Sequence, residues 1–64
     1  MNLRDQVTLK ERMLGVDANG DELVVPAGEW AEVVAIGPAG TFFLWCEALN
    51  AEIPHVTMEQ VIPA

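Results

Sequence analysis

Three oxygen-bearing side chains recur at alternate positions in the segment DANGDE: Asp17, Asn19 and Asp21. Loops for hard cations begin this way, with oxygens in the first, third and fifth places. A calcium loop between two helices also needs glycine in the sixth place and a bidentate glutamate in the twelfth. Counted from Asp17, those places hold Glu22 and Gly28. The segment is therefore expected to be a turn rather than a specific calcium site. Weak ion binding by Asp17, Asn19 and Asp21 is left open.

The other reactive residue types are single copies. His55 has no histidine or cysteine at metal-ligand spacing, since Cys46 lies far from it in sequence. As a general base it would need a nucleophile and an orienting group, and only Thr57 falls on the same strand face. Cys46 sits in the apolar run TFFLWCEAL beside Glu47. A reactive thiolate needs the opposite, electropositive setting. Cys46 is expected to be an inert buried thiol and His55 a structural or surface residue. No catalytic, cofactor-binding or metal-ligating set is expected.

Trp30 and Trp45 remain. Tryptophan is enriched both in cores and at the anchoring points of interfaces. Trp45, in the middle of an apolar run, is expected in the core. Trp30 follows a glycine-rich loop and is flanked by Glu29, Ala31 and Glu32. It is either a packing lid or an anchor for a partner. Glu29, Trp30 and Glu32 are the candidate partner surface.

Composition bounds what these residues can serve. The chain has 64 residues, which makes one small domain. Such a domain buries only about 60% of the surface its unfolded chain exposes. One cysteine excludes an internal disulfide, and the polar start MNLRDQVTLKER does not have the form of a signal peptide. No apolar run approaches the ~18 residues of a membrane span. A cytoplasmic location is expected. The formal net charge is −7, and Arg4, Lys10 and Arg12 are the only basic residues. Everything from Met13 onward is acidic or neutral, which argues against binding phosphate backbones. A protein with a basic surface fits better, although an acidic surface also serves solubility alone. Hydrophobic residues make up 52% of the chain. With so little volume to hide them, some apolar surface is expected to remain for another chain.

The elements that would position these residues are strands. In DQVTLKE, Val7 and Leu9 alternate with Gln6, Thr8 and Lys10, the pattern of a half-buried strand. Gly15, Asn19-Gly20, Pro26 and Gly28 punctuate the next stretch as one long loop, or a distorted hairpin with its tip at Asn19-Gly20. A second strand is expected over Trp30–Ile36, and Pro38–Gly40 connects it to the next. TFFLWCE is the third strand, with Phe43 and Trp45 on one face and Phe42, Leu44 and Cys46 on the other. A turn at Leu49-Asn50-Ala51 leads to a short strand, Glu52–Val56, in which Pro54 demands an edge or a bulge. Thr57 and Gln60 have capping-box spacing and mark one 3₁₀ turn. Val61-Ile62 then form the last strand. Five strands this short should curl into a small barrel that hides its edges.

That order resembles SH3-like barrels, with a long first loop, a three-stranded meander and a 3₁₀ turn before the last strand. The segment VPAGEWAEVVAI, Val25 to Ile36, is similar to the V-P-A-G-x-x-G-x-V-V-x-V core of small bacterial SH3-like domains of unknown function. Val25, Pro26, Ala27, Gly28, Val33, Val34 and Ile36 fit it, and Ala31 stands where that pattern has glycine. The resemblance implies an all-β fold and a stand-alone small protein of the kind found in toxin–antitoxin or mobile-element settings. The expected function is a non-enzymatic acidic interaction module that binds a protein partner or itself, in one form as an inhibitor or immunity-like protein. An oligomeric small-barrel enzyme with a shared central site, or a structural subunit of a larger complex, are the alternatives. A shared pore for anionic ligands would have only Arg4, Lys10 and Arg12 to draw on.

Overall fold

A computed structural model describes residues 1–64 as one curled antiparallel sheet of seven strands. These are β1 (Gln6–Leu9), β2 (Met13–Asp17), β3 (Glu22–Val25), β4 (Trp30–Ile36), β5 (Phe42–Cys46), β6 (Ala51–Val56) and β7 (Val61–Pro63), in the order β3-β2-β6-β5-β4-β1-β7. Three 3₁₀ turns, Pro38–Gly40, Glu47–Leu49 and Met58–Gln60, lie before β5, β6 and β7. No helix is long and apolar enough to cross a membrane.

The all-β reading and the 3₁₀ turn before the last strand hold. The count of five strands does not: of the two readings of the stretch after β1, a long loop or a distorted hairpin with its tip at Asn19-Gly20, the hairpin holds, as β2–β3 paired from Met13↔Val25 to Val16↔Glu22. Polar and glycine residues break its alternation, so it looks like loop in sequence. Tertiary contact decides instead: β2 joins the main sheet through Val16↔Glu52 and Asp17↔Ala51. The tip at Asn19-Gly20 also differs from a two-residue turn, which needs positive φ at both central residues. Only Gly20 takes one, at 85°. Gly20 N–H donates to Asp17 O at 3.0 Å, and Asp17 N–H to Asp21 O at 2.9 Å, closing a three-residue loop.

The Val-Pro-Ala-Gly segment has a similar local cause. Gly28 sits at φ 86°, as the third residue of a type II turn requires. Its N–H donates to Leu9 O at 2.8 Å, and Leu9 N–H donates back to Glu29 O at 3.1 Å. The turn thus clamps the start of β4 onto β1. Ala31 creates no bend: it is 6% exposed and lies opposite Val7. The irregularity in β4 comes later, where the β5 register shifts between Val33 and Ala35.

Pro54 is accommodated by a bulge rather than an edge. Phe42 lies opposite Val56 and Leu44 opposite Ile53, so β6 carries one extra residue across from Phe43. His55 takes φ 57° there. On the other side of β6, β2 reaches only Ala51 and Glu52, so Pro54 removes no ladder bond to it. Bulges of this kind increase twist and let a short sheet wrap. The strand also starts at Ala51, one residue earlier than its sequence suggests, after Asn50 closes the Glu47–Leu49 turn in the left-handed region.

The concave side holds the core: Val7, Leu9, Val25, Val33, Phe42, Leu44, Cys46, Ile53, Val56 and Val61, all 2% exposed or less. β5 lies at the centre of the strand order and contributes Phe42, Leu44 and Cys46. Thr57 N–H donates to the Gln60 side chain at 2.9 Å in the turn before β7. In the same turn the carboxyl of Glu59 is held below its usual range, chiefly by its own backbone N–H and also by the Thr57 hydroxyl and Lys10. The edge strands β3 and β7 are short and run into Pro26 and Pro63, which limits edge-to-edge pairing.

Gly15 lets β2 approach β6. A Cβ there would stand 3.0 Å from Glu52 O and 3.3 Å from a Val25 methyl. Gly15→Ala is expected to destabilise the domain by about 1–3 kcal/mol, the usual cost of forcing atoms into a packed site. Urea denaturation monitored by circular dichroism measures it.

Candidate functional site

Residues two apart on a strand share a face, and register decides which of them meet. Trp30 and Glu32 share the outer face of β4. Glu32 lies opposite Gln6 on β1 and Trp45 on β5, and Trp45 lies opposite Glu52 on β6. Trp30 lies opposite Thr8. Glu47 opens the 3₁₀ turn that follows β5. These groups surround a pocket of 110 Å³ lined by Gln6, Trp30, Ala31, Glu32, Trp45 and Glu47.

The proposed partner surface is therefore brought together in part. Trp30 is 56% exposed and Glu32 half-buried, and both line the pocket. A lid role for Trp30 does not fit that exposure. Glu29 is outside the lining, and its backbone carbonyl is engaged by Leu9. Trp45 is half-buried on the outer face, so its expected place in the core is corrected. Alternation along FFLWC separates Trp45 from Phe42, Leu44 and Cys46, but only the β4–β5 register shows that it faces Glu32. Gln6 joins through the β1–β4 register and Glu47 from the turn after β5, and neither could be found from local sequence.

The remaining candidates are apart. Cys46 is fully buried in the core. His55 is exposed, with its ring 5.6 Å from that of Phe43 and tilted by 52°. No group of three or more His, Cys, Asp or Glu converges. At the hairpin tip, one Asp17 carboxylate oxygen accepts hydrogen bonds from Asn19 N–H and Asp21 N–H, both at 2.9 Å. That oxygen holds the loop, as aspartate does in a side-chain-closed turn. A second apolar surface lies on the outer face of the hairpin, where Leu14 is 59% and Val24 is 55% exposed.

The chain matches no protein-family model, no curated protein sequence and no solved structure.

Asp17→Ala is expected to cost about 1 kcal/mol by leaving two turn N–H groups to water. Millimolar calcium should leave the melting temperature of the unsubstituted chain where it is. Differential scanning calorimetry reads both effects, and a rise in melting temperature with calcium would assign the tip as an ion site.

Proposed function

We propose that the chain is a non-enzymatic interaction module on an SH3-like barrel, which engages a protein partner through the outer face of β4 and β5. The observation that carries this reading is the 56% exposure of Trp30 beside Trp45 and Glu32. A domain of this size is short of core. Leaving its largest side chain in water forgoes roughly 1.5–3 kcal/mol of burial, by comparison with other large apolar residues. Such a surface is retained where something else covers it.

Charge supports a basic partner. The lining includes Glu32 and Glu47 and no lysine or arginine, on a chain of net charge −7. Complementary charge speeds encounter and rejects acidic competitors. An inhibitor or immunity-like protein acting on a basic target in the cytoplasm is the specific form this suggests. The geometry lends the enzyme alternative little support, since Cys46 lies in the core while His55 faces outward on β6.

The experiment is affinity capture with the whole chain as bait, compared with a Glu29→Ala, Trp30→Ala, Glu32→Ala variant. Capture should fall at least about tenfold, equivalent to ~1.4 kcal/mol. The melting temperature should change little, because none of the three side chains is in the core. Equal capture by both baits would refute the assignment of the surface.

A further inference from the structure

The outer-face pocket carries two chemistries. Trp45 stands across from Glu32; Trp30 lies two residues before Glu32 on the same face of β4, and Glu47 opens the turn that follows β5. All four line the same 110 Å³ pocket, together with Gln6 and Ala31. The side-chain hydrogen bonds of the molecule lie in its turns and in the capping box, so Glu32 and Glu47 have none within the chain.

Four electron-rich groups around one opening define what fits. An indole face attracts cations through its quadrupole, most strongly where water is partly excluded. A phosphate would meet two carboxylates and no compensating cation. A metal ion would meet two carboxylates and two rings, which offer it no lone pair. An organic cation meets complementary charge on every side.

We propose that this pocket holds the guanidinium of an arginine side chain on the protein partner. The inference rests on the interaction reading above and supplies its chemistry. Guanidinium is flat, so its face stacks on an indole while its edge N–H groups donate to carboxylates. A lining of two indoles and two carboxylates suits those two demands together. A lysine ammonium is a strongly hydrated point charge without a stacking face. It would pair with one carboxylate and gain less from the rings.

The chain has two tryptophans, and both line this pocket, so intrinsic fluorescence reports on it directly. The probes are the peptide Gly-Gly-Arg-Gly-Gly and its analogues with lysine or citrulline in place of arginine, titrated against the whole chain. The arginine peptide is expected to give a saturable fluorescence change with a Kd of about 1 mM, at least about tenfold tighter than the neutral citrulline analogue. It should also bind more tightly than the lysine peptide and weaken with added salt. A Glu32→Gln, Glu47→Gln variant keeps the shape and should lose at least about tenfold in affinity. Equal binding of the citrulline or lysine peptide, or unchanged binding by the glutamine variant, overturns the assignment. If the arginine peptide gives no saturable change while capture still depends on Trp30, the guanidinium assignment alone falls. If capture is also independent of Trp30, the interaction reading falls with it.

Discussion

One central strand bears most of the constraint on this molecule. β5 lies in the middle of the strand order and sends Phe42, Leu44 and Cys46 into the core. With so few residues there is no second layer, so the sheet must bend around its own inner row. Alternation makes this possible, since every second residue of β5 is inside. It also fixes what lies outside. Once Phe42, Leu44 and Cys46 are committed inward, Phe43 and Trp45 must face out, and the pocket between β4 and β5 follows from the core.

Curvature meets the competing need to let backbones approach. Gly15 admits β2 close to β6, and the extra residue at Pro54-His55 turns β6 where β2 has ended. The type II turn at Pro26–Glu29 then returns the chain so that β4 begins against β1. These devices are local and involve few residues, as does the shift between Val33 and Ala35 in the β4–β5 register that sets Glu32 beside Trp45. Pocket and wrap are two results of one arrangement.

Much of the fold was legible because strand alternation is a strong signal. β1, β4, β5 and the closing segment were recognisable from Val7/Leu9, from the β-branched run after Trp30 and from FFLWC. The β2–β3 hairpin was legible only as one of two readings: Asn19-Gly20 marked its tip, but Gly15 and Asp17 interrupt its alternation, and its place in the sheet depends on contact with β6. The site was half legible. Trp30 and Glu32 stood out by type and neighbourhood, whereas the apolar run around Trp45 pointed to the core. An apolar run does not say which face is wet; a register does, and register belongs to the tertiary structure.

Trp45 belongs to both sides of the molecule at once, as the outward residue of the strand that supplies the core. Whatever settles on it gains nothing from the opened chain, so occupancy adds directly to the free energy of staying folded. A chain this small sits near the threshold at which cellular proteases remove transiently opened copies. Under the proposed interaction, its lifetime in the cell would follow the abundance of the partner, and orphaned copies would be the first to be cleared.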